Sequence, residues 1–301
     1  MKISLRSNMS QLRGTGGALL RSALHSSRSS FVRPILAIGL GLSLLTRPCF
    51  GQASDTSQDK TFLTRRDLLV AGLGLGVTGI VAHYDKDIAR ASQEPRFQGK
   101  NVHDFALNVS KVNETTLTLA GIATYGVARL SHSALISDVA LHATESVVLA
   151  SLASQLIRGP LGRTRPYVTH DSDQYNFKVG KGFFGKSSFD NRAFPSIHTS
   201  SSMAVATVIT METQRRSPGA AYIVAPLVYG AALLPGLARI ELDQHWGSDI
   251  VAGAIMGVFA GYKVVSYSHA HPNNWFDRVL LTASVAPNEH GGLLVSLNPT
   301  F

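Results

Sequence analysis

Residues 239–265 read RIELDQHWGSDIVAGAIMGVFAGYKVV. From Ile250 to Val265 this is an apolar run with one charged residue, Lys263, long enough for about four helical turns. It is entered through Arg239, His245 and Asp249. His245 and Asp249 stand four residues apart, so a helical entrance puts them on one face, within reach of each other. A carboxylate so placed holds one imidazole nitrogen, fixes the tautomer and leaves the other nitrogen free to react. The stretch predicts an apolar helix with chemistry at its N-terminal end.

Five more apolar stretches precede it, at Leu68–Ala82, Leu117–Leu130, Leu135–Ile157, Met203–Met211 and Ala221–Ala238. All read as helices. The expected fold class is all-α, a bundle of about six apolar helices with the active site at one end. Beyond Val265 the pattern changes: Val279–Val285 and Leu293–Leu297, separated by Pro287–Gly292, predict a short C-terminal β-hairpin. The expected organisation is a signal-like leader (1–53), a polar linker (54–66), the helical bundle (67–268) and a C-terminal extension (269–301).

The chain of 301 residues is 45% hydrophobic and 16% charged, more apolar than most soluble proteins. Its net charge of +9, taken alone, suggests a nucleic-acid or acidic-membrane partner. The distribution argues against nucleic acid. Residues 1–54 hold seven Lys or Arg and no Asp or Glu, and setting them aside leaves +2 for the rest of the chain. A basic stretch, an apolar run at Ile35–Leu45 and small or polar residues at Gly51–Ser54 give the layout of a secretory signal. A later start codon, a retained anchor and an organellar transit peptide are the competing readings of the same leader. Cys49, the sole cysteine, lies inside it, so the domain downstream is expected to have neither an internal disulfide nor a thiolate metal cluster.

Arg65, Arg66, Arg129, Arg215, Arg216 and Lys263 fall on one side of a six-span arrangement, as positive-inside topology requires, and the motif loops then face outside. A cleaved leader inverts that order. Several stretches are shorter than a bilayer span, and Leu135–Ile157 carries Asp138, His142 and Glu145. These features tilt the expectation towards an exported bundle, soluble or membrane-associated. Both readings place the protein in the cell envelope.

Upstream of Arg239 stand two further groups: Arg158 followed by Arg165-Pro166, then Pro195-Ser196-Ile197-His198. Each is weak alone. At about 5% per fixed residue type, all three groups in this order arise by chance in on the order of one chain in ten thousand. Together they resemble the three signature motifs of the type 2 phosphatidic acid phosphatase and vanadium haloperoxidase superfamily, which includes bacterial non-specific acid phosphatases. The resemblance implies a helical bundle and a phosphatase. It implies that His245 is the nucleophile that forms a phosphohistidine, with Asp249 orienting it, and that His198 is the general acid. Ser196 would then hydrogen-bond a phosphate oxygen.

The residue types suit that chemistry on physical grounds. A phosphoryl group in transfer spreads negative charge over three equatorial oxygens and calls for fixed cations around it. Arg158, Arg165 and Arg239 supply them, and the guanidinium fork donates two parallel hydrogen bonds to phosphate. Three such groups neutralise a substrate without a metal, so no cofactor is expected; vanadate enters only under a haloperoxidase reading. Ser196 and His198 open an apolar helical run, where unpaired backbone N–H groups make an anion site.

Three positions depart from the family pattern. Arg158 stands where lysine is common, Ile197 where glycine is usual and Ala238 where serine is usual. A β-branched residue resists positive φ, so Ile197 is expected to have an ordinary backbone conformation. The loop Tyr167–Phe194 carries His170, Lys178, Lys181, Lys186 and Arg192 and is expected to frame the pocket mouth. His83, His103, His142, His269 and His290 show no metal-ligand spacing, and core or surface roles are expected for them. The expected substrate is a phosphomonoester or diphosphate, with a lipid phosphate favoured by the surrounding apolar helices and the membrane as partner. A phosphotransferase, a vanadate-dependent haloperoxidase and a non-catalytic envelope protein are the competing readings.

Overall fold

The computed structural model describes residues 62–183, 188–271 and 274, together with strands at 283–287 and 293–297. The leader and most of the linker lie outside the described residues. The helices are α1 (Arg65–Ala82), α2 (Asp85–Ser92), α3 (Lys100–Val109), α4 (Glu114–Leu130), α5 (Ala134–Leu161), the single turn α6 (Pro166–Thr169), α7 (Ile197–Arg216), α8 (Pro218–Glu241) and α9 (Gly247–Ala270). The six apolar stretches fall within α1, α4, α5, α7, α8 and α9, and the fold is the expected all-α bundle.

Helix α7 is the hub, with α5, α8 and α9 packed around it. Its buried face is largely hydroxylic: Thr199, Ser200, Ser201, Ser202 and Thr207 all lie inside. Each finds a partner. Ser200 Oγ is 3.1 Å from Ser154 Oγ, Ser201 Oγ is 3.1 Å from Ser151 Oγ, and Ser202 donates to the Ala232 carbonyl at 2.7 Å. Tyr229 donates to Thr207 Oγ1 at 3.0 Å. This polar interior is why hydropathy marks only the middle of α7.

Helix α9 comes closer still. A Cβ at Gly253 would stand 2.4 Å from the Ser196 carbonyl oxygen, and one at Gly257 would stand 2.2 Å from that of Ser200. Spaced four apart, these glycines form one groove into which the α7 backbone sinks. The contact fixes the start of α7 against the start of α9, and the Ser196 N–H donates to the Asp249 carbonyl at 3.0 Å.

The outer surface is apolar. Leu68, Leu69 and Leu73 on α1, Leu152 and Leu156 on α5, and Tyr222, Ile223 and Leu227 on α8 are all exposed. Helices α5, α8 and α9 run 28, 24 and 24 residues, long and apolar enough to cross a membrane, and α1 with α2, bent by 56°, is a candidate fourth span. They are longer than their hydropathy cores, so the shortness that favoured a soluble bundle belongs to the sequence windows and not to the helices. Two charges counted as flanks are engaged within the bundle: Lys263 pairs with Asp67 at 2.9 Å, and Arg216 with Asp138 at 2.6 Å and with Glu212.

Strands β1 (Ala283–Pro287) and β2 (Leu293–Leu297) pair antiparallel, Val285 opposite Val295. The segment that joins them and the rest of the expected hairpin region lie outside the described residues.

Candidate active site

Four helix ends meet at one end of the bundle, and each brings its motif with it. Arg158 sits in the last turn of α5, which Gly162 terminates in the left-handed region at φ 60°. A side chain at Gly162 would collide with the Lys178 carbonyl, 1.9 Å from an ideal Cβ, so the turn requires glycine. The chain then runs extended into Arg165, the N-cap of α6. Ser196 caps α7, and Arg239 lies in the last turn of α8. His245 precedes α9, and Asp249 is in its first turn. Ile197 begins α7 as a buried residue without positive φ, as its β-branch demands.

The arginines are held by neutral acceptors. Arg158 Nε donates to the Arg192 carbonyl at 3.0 Å, and its Nη2 donates to the same oxygen. Arg165 Nε donates to the Phe189 carbonyl at 2.8 Å, with its guanidinium 4.1 Å from the Phe189 ring centre. Gln244 joins the other two: its Oε1 accepts from Arg165 Nη1 and from Arg239 Nη2, both at 3.0 Å. Arg239 Nε is buried without a partner among the described residues.

His245 and Asp249 are almost wholly buried, with Nδ1 of the imidazole 3.4 Å from Asp249 Oδ2. That is a charge contact and not an aligned hydrogen bond: Nδ1, like Nε2, has no hydrogen-bond partner among the described residues. Asp249 is itself fixed on both oxygens: Oδ2 accepts the Trp246 N–H at 2.8 Å, and Oδ1 accepts Arg163 Nη1 at 2.6 Å. Arg163 also donates to Ser248 Oγ and Asp85 Oδ2, each at 2.7 Å. A buried Asp85–Arg163–Asp249 chain thus stands behind the imidazole, whose Nε2 has no partner among the described residues. His198 opens α7 on the other side of the site and hydrogen-bonds the backbone of Ser110.

The electrostatics follow from three cations in a buried space. His245 is held well below the ordinary imidazole value, first by burial and then by Arg165, Arg239 and Arg158. His198 is pushed down to about 3, first by burial and then by Arg239, Arg158 and Arg165. Arg165 itself is pushed down to about 9 by burial and by Arg158 and Arg239, which leaves it cationic at neutral pH. With no anion present both imidazoles are neutral. The site is a cluster of three guanidinium groups around a buried imidazole with no hydrogen-bond partner on either nitrogen among the described residues, suited to a dianion.

All seven residues singled out in the sequence, Arg158, Arg165, Ser196, His198, Arg239, His245 and Asp249, meet here. Ser196 spends its hydroxyl locally, 3.0 Å from Thr199 Oγ1. Arg163, Asp85, Gln244 and Ser110 were not anticipated. Arg163 lies between two motif arginines, but its partners Asp85 and Asp249 are 78 and 86 residues away, so no local pattern marks the chain. In the loop after Arg165, His170, Lys178 and Lys181 are exposed and Lys186 lies outside the described residues. Arg192 contributes its carbonyl to Arg158 and turns its guanidinium to Gln155 at 3.1 Å.

Residues 139–272 match the family model of the PAP2 superfamily. The chain is 39% identical over 86 residues to a lipid A 1-phosphatase of Porphyromonas gingivalis, a match covering 28% of this chain and 18% of that protein. It is 28% identical over 141 residues to a lipid A 1-phosphatase of Rhizobium johnstonii, covering 46% and 52% of the two chains. A lipid A 1-phosphatase of Rhizobium etli is likewise 28% identical, over 46% of this chain and 54% of that one. The chain therefore spans between about a fifth and a half of these relatives. No solved structure matches significantly.

Proposed function

We propose, from the match of residues 139–272 to the PAP2 superfamily model, that the chain is a lipid phosphatase of the cell envelope that works through a phosphohistidine and without a metal. The observation that carries the reading is His245 Nε2, buried and unpartnered among the described residues, in a pocket made positive by Arg158, Arg165 and Arg239.

The steps follow from the charges. A phosphate dianion enters the three-arginine cradle and offsets the field that keeps His198 neutral, so His198 takes up a proton as substrate binds. His245 Nε2 attacks phosphorus in line. The bond from phosphorus to the leaving oxygen breaks as His198 gives that oxygen its proton. Asp249 stabilises the imidazolium character of His245, and the Asp85–Arg163 pair keeps Asp249 in place. Water, losing a proton to His198, then cleaves the phosphorus–nitrogen bond, and inorganic phosphate leaves. The arginines act throughout by pre-placed positive charge.

A lipid substrate is supported by the exposed apolar faces of α1, α5 and α8 and by the names of the matched relatives. The first substrates to test are therefore lipid A carrying a 1-phosphate, phosphatidate and a soluble aryl phosphate. In excess chelator, the wild type is expected to release phosphate from a lipid, and His245→Ala is expected to release none. Equal release by His245→Ala would refute the mechanism; loss of wild-type activity on chelation, in protein that stays folded, would refute metal independence.

A further inference from the structure

A second cluster lies far from the phosphate pocket. Glu212 is fourteen residues beyond His198 on α7, about 21 Å along the helix at 1.5 Å per residue. His142 of α5 and His269 of α9 turn towards it from either side. His142 Nδ1 is 2.9 Å and His269 Nε2 is 2.7 Å from the same oxygen, Glu212 Oε1. The three ligand atoms lie within 4.8 Å of one another. Glu212 Oε2 is engaged separately by Arg216, whose other nitrogen is 2.6 Å from Asp138. Glu212 and His142 are buried, and His269 is a quarter exposed.

We propose that His142, Glu212 and His269 form a structural divalent-cation site of zinc type. Two imidazole nitrogens and one carboxylate oxygen are a zinc donor set, and the fourth position falls to water on the side where His269 is exposed. Zinc bonds of about 2.0–2.2 Å in a tetrahedron place donor atoms about 3.3 Å apart, so small side-chain rotations close the site. Both imidazoles now aim a ring N–H at one carboxylate oxygen. A divalent cation takes that point instead when each ring proton shifts to the other imidazole nitrogen, leaving the lone pair of His142 Nδ1 and of His269 Nε2 for the ion. Arg216 on Oε2 is the outer contact that fixes the carboxylate.

The charges agree with a cation there. With both imidazoles neutral, Glu212 and Asp138 outweigh Arg216 by one negative charge. The three ligands come from three helices, the same helices whose opposite ends carry Arg158, His198 and Asp249. A bound ion therefore clamps α5, α7 and α9 at the end away from the pocket and takes no part in the chemistry. No sequence spacing announces it, since positions 142, 212 and 269 belong to three separate helices.

The test uses the full chain in detergent, with any affinity tag removed, stripped by chelator, given zinc and desalted. The wild type is expected to retain one zinc per chain and to melt at a higher temperature than its stripped form. His245→Ala is expected to do the same, because the catalytic imidazole is not a ligand. His269→Gln and Glu212→Gln are expected to retain none and to show no zinc-dependent shift. If Glu212→Gln does not fold, His269→Gln at the exposed edge carries the test. Folded wild type that retains no zinc overturns the proposal, as does a His142→Ala/His269→Gln variant that still holds a full equivalent.

Discussion

At one end of α7, Arg158, Arg165 and Arg239 direct their N–H groups at carbonyl oxygens and the Gln244 amide, and among the described residues none pairs with a carboxylate. At the other end, Glu212 and Asp138 neutralise Arg216 and draw in two imidazoles. The residue types are nearly the same and the charge balance is opposite. Arg163 gives an internal control: it sits between two of the pocket arginines, yet it is saturated by Asp85 and Asp249. Buried cations with no carboxylate in direct contact are costly, and the arrangement is explained when an anion completes it. Where the counterions are already present, the cluster holds helices together.

The contrast is broken most directly at His245. His245→Ala is expected to lower kcat/KM by about 10⁴-fold or more, because loss of a covalent nucleophile leaves only binding and electrostatics. Rapid denaturation in detergent at alkaline pH, where a phosphorus–nitrogen bond survives, after mixing with radioactive lipid phosphate should trap phosphoenzyme in the wild type and none in the variant. A phosphoenzyme in the variant would move the nucleophile elsewhere.

Arg163 tests the saturated side. Arg163→Met leaves two buried carboxylates facing each other, and removal of one partner from a buried pair costs about 3–5 kcal/mol. Thermal or denaturant unfolding should show that loss, whereas Arg239→Met, which takes away no carboxylate partner, should unfold at or above the wild-type midpoint while losing activity. Equal destabilisation by the two would erase the distinction between the arginines.

The pH dependence sharpens the same point. A histidine that is neutral when folded and ordinary when unfolded makes the unfolded state bind more protons, so stability rises with pH. For His198 the folded value is about 3 and the ordinary value 6.5, so its contribution is present above 6.5 and is lost as pH falls from 6.5 towards 3. His198→Gln is expected to flatten that window by up to about 1.4 kcal/mol per pH unit, the slope for one proton. Phosphate binding near neutral pH should take up a proton in the wild type, read by calorimetry in buffers of different ionisation enthalpy, and His198→Gln should reduce that uptake.

The parts legible in the sequence share a physical cause. Continuous apolar shafts locate α1, α4, α5, α8 and α9, and fixed spacing inside one helix links His245 to Asp249. Helix α7 was marked only between Met203 and Met211 because its buried face is serine and threonine, which hydropathy counts as polar. Helices α2 and α3 were missed because they are short and mixed in character, although they bring Asp85 and the loop with Ser110 to the site. The Arg163 chain and the Glu212 cluster are contacts between distant segments. Only tertiary packing brings such segments together, the glycine groove of α9 against α7 being one part of it.

The smallest effect is expected at Ala238, where the family pattern has serine. Ala238 is buried, one residue before Arg239 in the last turn of α8. A serine hydroxyl there can donate to the carbonyl four residues earlier, so it adds no unsatisfied group and needs little space. Arg239 is already placed by Gln244 at 3.0 Å. Ala238→Ser is therefore expected to change kcat/KM by less than about threefold, a difference of about 0.7 kcal/mol, since the added hydroxyl is satisfied within its own helix. A rise of about tenfold would mean that the missing hydroxyl contacts the phosphoryl group, and that the positive pocket alone does not account for the chemistry at this end of α7.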